Sequence, residues 1–387
     1  MKHTTLALLA LGTSACLGDG EQLSNVEQHA GGGCPPFACG NDGNSPVIDM
    51  FGFHDFKNPA AGPEANSGGF TLLGFETKTP NGIYKTTNVR VEGAQLMIGD
   101  PFKAPPVESG YLRIKGNGKE FLVYIKASAE VKYWAKLAEA NKTHTYFLKW
   151  LIAPPGGELP KNESQEWPNV CSNPSVDNGG ENMGMDGQHV VLFEGDRIDA
   201  IKIDVYDQDP NWFNIGCAGH ALAKLHLSGH TQGAMKDTTG VAPNAYETKE
   251  NHRTTYLKMI SGDYCGDGRP FTIPGMPLNW ADDDTYDTGV AGDWMNFASD
   301  NGLTPNNLEI EARWDENGAT CLNTPRVDFN LLGHPEGKET YDPMGYADLE
   351  EAIKDVCGSV GRERPKKCDP DDEYTFDGHH LVTANWK

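Results

Sequence analysis

Leu308-Glu309-Ile310-Glu311-Ala312-Arg313-Trp314 alternates apolar and charged side chains without a break, and Asp315-Glu316-Asn317-Gly318 leads from it into Ala319-Thr320-Cys321-Leu322. Strand side chains point to opposite faces in turn, so Leu308, Ile310, Ala312 and Trp314 share one face. Glu309, Glu311 and Arg313 share the other. The pattern predicts a strand with one face in a core and one in water, turned back at Asn317-Gly318.

Working outward, the same logic finds more strands than helices. Tyr111 to Lys115 and Glu120 to Lys126 flank Gly116-Asn117-Gly118-Lys119, and Asn-Gly suits the positive φ values of a tight hairpin turn. His189 to Phe193 and Ile201 to Val205 are β-branched runs with the turn-like Glu194-Gly195-Asp196 between them. Asn58 to Gly69 reads as a loop. Helices are expected from Cys217 to Leu227, where Cys217, Ala221 and Leu225 make a stripe, and from Tyr246 to Ser261, stopped by Gly262. A third is marked by Leu349, Ala352, Ile353 and Val356, with Gly358 just beyond. The fold class is therefore α+β and β-rich: antiparallel hairpins with a few short helices, stapled by disulfides.

The densest segment is Gly262-Asp263-Tyr264-Cys265-Gly266-Asp267-Gly268, where a helix stop, a cysteine and two further glycines fall together. With Gly216-Cys217-Ala218-Gly219-His220-Ala221-Leu222-Ala223-Lys224 upstream and the hairpin from Trp314 to Leu322 downstream, it resembles the ADYC-domain family of myxobacterial and related secreted proteins and lipoproteins. The resemblance covers about Tyr111 to Pro325. Gly262 stands where the family name has Ala, and Leu225 and the neighbourhood of Thr254 lack cysteines that relatives often carry. If those two cysteines bridge in relatives, this chain lacks that bridge as a unit. The resemblance implies no activity.

Nine cysteines is an odd number. The N-terminus accounts for one. Lys2 and His3, an apolar stretch from Leu6 to Leu11 and small residues before Cys16 have the layout of a lipoprotein export signal, whose cysteine is acylated. Cys34, Cys39, Cys171, Cys217, Cys265, Cys321, Cys357 and Cys368 remain for bridging in an oxidising compartment. Short loops make Cys34–Cys39 and Cys357–Cys368 the plausible local pairs, leaving the other four to tie the main domain. The organisation read from this is a signal peptide over 1–15, a flexible tether over 16–33, a β-rich segment over 34–110, an ADYC-like domain over 111–325 and a C-terminal extension over 326–387 that looks separate.

Thirty-two Lys and Arg face 55 Asp and Glu, a net charge of −23 that argues against nucleic acid as a partner. After the first fifteen residues no apolar run approaches the ~20 that span a bilayer. Cys265 with Asp263 and His252 or His220 could form a thiol site, but export makes a disulfide the stronger expectation. His226 and His230 are four apart, yet Ser228-Gly229 interrupts the helix and no Glu stands beside His226 as a zinc-protease base would. Calcium is the cofactor left open: Asp204, Asp207 and Asp209, or Asp282, Asp283 and Asp284, could supply hard oxygen ligands. Trp212 and Trp280 lie near acidic residues and suggest sugar stacking. No cofactor is required by any motif.

The expectation is an extracytoplasmic protein: an outer-membrane lipoprotein held by its lipid anchor or, if the signal is a plain one cleaved near Ala15, a secreted protein. Its function would be non-enzymatic, binding a protein or polysaccharide ligand or serving as structure. The alternatives are a carboxylate-based hydrolase of an extracellular polymer, using Asp263, Asp267 and Asp282 to Asp284, and a calcium-stabilised carbohydrate-binding module.

Overall fold

A computed structural model describes residues 53–100, 107–132, 142–154, 167–171, 189–231, 250–272, 278–282 and 308–326 except 324. It also describes 45, 48, 156, 158–160, 353, 357–359, 361–362, 365–368 and 381–386. Cys16, Cys34, Cys39, Asp283 and Asp284 lie outside these residues, and so do the signal and tether expected over 1–33.

The Asn-Gly hairpin forms as the sequence predicts. β6 (Ser109–Gly116) and β7 (Lys119–Lys132) pair from Gly116↔Lys119 back to Ser109↔Lys126, and Asn117 and Gly118 take φ values of 50° and 71°. This hairpin lies within an eight-stranded antiparallel sheet. Its other members are β1 (Asp55–Lys57), β2 (Thr71–Thr79), β3 (Gly82–Thr86), β8 (Lys142–Ile152), β9 (His189–Asp199) and β10 (Asp204–Cys217). The strand order is β1-β10-β9-β8-β7-β6-β2-β3. Strands from 34–110 and from 111–325 thus share one sheet. A two-stranded hairpin, β4 (Val89–Glu92) with β5 (Gln95–Ile98), stands beside it.

Two boundaries differ from expectation. β9 runs straight through Glu194-Gly195-Asp196, and the turn comes at 200–203, where the Asp199 carboxylate accepts the Ile201 and Lys202 N–H groups, each at 3.0 Å. That carboxylate cap outweighs the β-branched run that suggested a strand from Ile201. Asp209-Pro210-Asn211 is likewise inside β10, at a break in register between Gln208 and Phe213 that accommodates the proline.

α1 (Ala221–Leu227) starts four residues after Cys217, which closes β10 instead of opening the helix. α2 (Glu250–Ser261) ends where Gly262 was expected to stop it. Near the C-terminus Gly361, with φ 76°, closes the helical turn at Cys357–Ser359 by Arg362 N–H to Cys357 O, so Gly358 is not the stop.

The opening stretch forms β12 (Leu308–Asp315) and turns into β13 (Gly318–Leu322). With β11 (Asn279–Asp282) and β14 (Leu381–Trp386) they make a second antiparallel sheet, ordered β11-β14-β12-β13. β12 has no wet face over its described side chains: Glu311 and Arg313 are as buried as Ala312 and Trp314. Residues beyond 325 are part of the same compact unit, 34–387, because β14 sits between β11 and β12.

The largest core joins both sheets to the helices. Phe193, Ile198 and Val205 meet Leu222 and Leu225 of α1, Leu257 and Ile260 of α2, and Trp314, Leu322 and Leu381. Among the described residues three disulfides tie it down: Cys171–Cys217, Cys265–Cys357 and Cys321–Cys368, with Cα separations of 5.5, 5.0 and 4.9 Å. The expected local pair Cys357–Cys368 does not form. The Leu322 N–H reaches Lys366 O at 2.8 Å, the Cys368 N–H reaches Asn323 Oδ1 at 3.1 Å and Arg362 Nη2 reaches Gly266 O at 3.3 Å, so each cysteine meets a distant partner instead.

Candidate functional site

The Gly262–Gly268 segment falls at the end of α2, and it is built as a joint. Gly262, with φ 66°, lets its N–H reach Met259 O at 3.1 Å while the Asp263 N–H reaches Lys258 O at 2.9 Å. These two bonds are a complete glycine-type helix cap. The chain then turns over the Asp263 carboxylate, which accepts the Gly268 N–H at 2.8 Å, the Asp267 N–H at 3.2 Å and the Lys258 ammonium at 2.9 Å.

Lys258 has its other two protons on the carbonyl oxygens of Lys202 and Gly266. One buried lysine therefore pins the β9–β10 turn, the helix end and the motif loop together. Burial lifts the Asp263 carboxyl above the usual carboxylate range, and the Lys258 ammonium and Gly268 N–H pull the other way.

Tyr264 bonds into the second sheet. Its hydroxyl donates to Glu311 Oε1 at 2.6 Å and accepts the Arg326 backbone N–H at 2.6 Å. Arg326 Nε reaches the same Glu311 oxygen at 2.7 Å, and Arg326 Nη2 donates to Met259 O at 3.1 Å. Burial, followed by the Glu311 charge, pushes the Tyr264 phenol well above its ordinary pKa. Burial works against the Arg326 charge, but the Glu311 carboxylate more than offsets it and raises the guanidinium pKa. The phenol ring lies 4.9 Å from the Trp314 ring. This network is why Glu311 can leave water.

Cys265 is bonded to Cys357, so it presents no thiol. Gly266, at φ 65°, abuts the β12–β13 turn so closely that a β-carbon would collide with the Asn317 carbonyl, and Gly268 meets the Ile201 carbonyl in the same way. The loop thus touches α2, both hairpin turns, Arg326 and the C-terminal segment. Each of its side chains from Asp263 to Cys265 has a structural partner.

The other candidates are placed as follows. Asp204 accepts from the Thr254 hydroxyl at 3.1 Å, Asp207 lies 3.7 Å from Arg197 Nη1, and Asp209 accepts the Asn211 N–H at 2.9 Å. Among the described residues no group of three or more His, Cys, Asp or Glu could hold a metal ion. Trp212 is buried beneath the Arg197 guanidinium, 4.2 Å from its ring centre, and Trp280 is buried among aromatic and histidine rings. Neither offers a face for sugar stacking. Leu225 lies in the core, and the Thr254 hydroxyl accepts the Val205 N–H at 3.0 Å.

Two arrangements escaped the sequence reading. His54 Nε2 lies 3.2 Å from Ser67 Oγ and 3.0 Å from Asp55 Oδ1. Both contacts use one ring nitrogen, whereas a nucleophile–base–orienter relay needs the carboxylate on the other. His226 is buried on α1 with Nε2 against Thr143 Oγ1 and Nδ1 against Thr231 Oγ1, each at 2.8 Å. Neither nitrogen is turned toward His230 as a shared ligand. The Thr143 partner comes from 83 positions away, a distance no spacing rule reaches.

Fold and joint together define an antiparallel, disulfide-stapled α+β protein organised around a helix-to-loop motif. The family model for the ADYC domain matches residues 126–328, more than half of the chain, and the chain belongs to that family. Neither the curated proteins nor the solved structures contain a significant match.

Proposed function

We propose that this chain is an exported, lipid-anchored envelope protein whose ADYC domain is a binding or structural module without catalytic groups of its own. The observation that carries the reading is the state of the motif. Cys265 is in a disulfide, Asp263 is ion-paired and Tyr264 is hydrogen-bonded, so the segment most suggestive of chemistry is occupied in holding the fold. The disulfides among the described residues also favour an oxidising compartment, in line with an export signal over 1–15 that leaves Cys16 first. The expected ligand is a protein or polysaccharide of the envelope, and the reading needs no cofactor.

Two measurements test it. Palmitate labelling in a bacterial host should mark the wild-type chain and be lost in Cys16→Ala; equal labelling of both overturns the anchor. The purified protein should be retained on envelope polysaccharide or peptidoglycan without releasing reducing ends or peptides. Release that disappears in Asp267→Asn would instead establish the hydrolase.

A further inference from the structure

α1 ends in a glycine cap of its own: Gly229, at φ 84°, sends its N–H to His226 O at 3.0 Å, and the His230 N–H returns to Leu225 O at 3.1 Å. This cap fixes where the His230 imidazole goes. The ring lies 5.0 Å from the His252 ring and 4.8 Å from the Tyr256 ring of α2, and 5.6 Å from Trp280 of β11. Tyr256 and Trp280 meet edge to face at 5.3 Å, and the Tyr256 hydroxyl lies 2.9 Å from Ser228 Oγ beside the cap. One imidazole is therefore the piece on which the end of α1, the outer turns of α2 and the first edge strand of the second sheet converge.

We infer that His230 is an acid-sensitive latch: neutral, it packs α1, α2 and β11 together, and protonated, it releases them while the two sheets stay folded. A neutral ring packs at tilts of 31°, 43° and 54° against another imidazole and two aromatics. A cation there faces a second imidazole and the Arg253 guanidinium in a site partly withdrawn from water. Among the described side chains, the groups acting on His230 are His252 and Arg253, with Tyr256 in ring contact; α2 also carries Lys258, held by Asp263, α1 carries Lys224 and His226, and β9 contributes Asp196. The Asp196 carboxylate is already engaged by Arg253 at 3.0 Å. Burial first, then His252 and Arg253, holds the His230 pKa well below the ordinary histidine value. The sheets have separate ties in three disulfides and the Glu311–Arg326 pair, so release at the latch is local.

Trp280 is a built-in reporter, since imidazolium quenches indole and loss of packing shifts its emission. In the full-length protein, tryptophan emission should change reversibly between pH 6.5 and pH 4 while far-ultraviolet circular dichroism holds, and Trp280→Phe should remove the change. His230→Gln should abolish it or move its midpoint by at least half a pH unit, and His226→Gln should leave it in place. The latch is overturned if emission does not change, if His230→Gln titrates as the wild type does, or if the dichroism collapses in the same step. Should His230→Gln fail to fold, the wild-type His230 Cε1–H resonance decides: titration below pH 6 supports the latch, and titration at the ordinary histidine value overturns it.

Discussion

Asp263 and Lys258 show how a single side chain decides the fate of a whole loop. Replacing Asp263 by Asn leaves the Lys258 ammonium inside the protein without its anion, and breaking one partner of a buried pair typically costs about 3–5 kcal/mol. Urea melts of Asp263→Asn should show a loss of that size with an unchanged m-value; a loss below about 1 kcal/mol would mean the pair is hydrated. Gly266→Ala meets a different obstacle, a backbone carbonyl that cannot swing aside together with a left-handed φ. It should lose about 2–4 kcal/mol, and Gly118→Ala, where a β-carbon meets nothing, should lose less in the same melts. The sequence makes these positions visible as a cluster of Gly, Asp and Cys. It cannot show that their partners are Lys202, Asn317 and Arg326, because those contacts join residues tens of positions apart. Glu311 is the sharpest case. Alternation puts it in water, and only the arrival of Tyr264 and Arg326 makes its burial tolerable.

Among the elements, hairpins were legible and the ends of long strands were not. Asn117-Gly118 and Asn317-Gly318 announce their turns because Asn117, Gly118 and Gly318 take positive φ values that few residues accept. The β9–β10 turn depends on the Asp199 carboxylate capping two N–H groups, a signal that the β-branched Ile201 and Ile203 obscure. α1 carries a consequence for pH. Burial lowers the His226 pKa to about 3, so the folded chain refuses a proton that the unfolded chain accepts below about 6.5. Above that pH the imidazole is neutral in both states and has no effect. Between pH 6.5 and 3 it removes about 1.4 kcal/mol of stability per pH unit. Melts at pH 7, 5.5 and 4 should show a shallower loss for His226→Gln than for the wild type, by about one proton's slope. Parallel slopes would mean the ring is protonated in the fold.

At the scale of the molecule, the C-terminal residues complete the structure. β14 lies between β11 and β12, pairing Leu308↔Trp386 through Trp314↔Leu381 on one side and Asn279↔Ala384 through Asp282↔Leu381 on the other. Without it β11 loses the strand that joins it to the sheet, and the Trp314 indole loses its acceptor, Thr383 Oγ1, at 2.9 Å. Two of the disulfides, Cys265–Cys357 and Cys321–Cys368, hold this returning segment against the motif loop and β13. Composition made residues 326–387 look detachable, because their charge density resembles a solvated tail and pairing across seventy positions leaves no local trace. A chain ending at residue 380 should therefore lose its cooperative unfolding transition, while Thr383→Val, which keeps the strand and removes only the acceptor, should cost about 1–3 kcal/mol. Cys265→Ser separates the staple from the strand. It should expose one new thiol, that of Cys357, to a thiol reagent under non-reducing conditions and lower stability by about 2–5 kcal/mol, with the transition still cooperative. If the chain ending at 380 melts as sharply as Cys265→Ser does, the C-terminal strand is an addition to a sheet that stands without it; if only the truncated chain loses cooperativity, the last strand closes the fold.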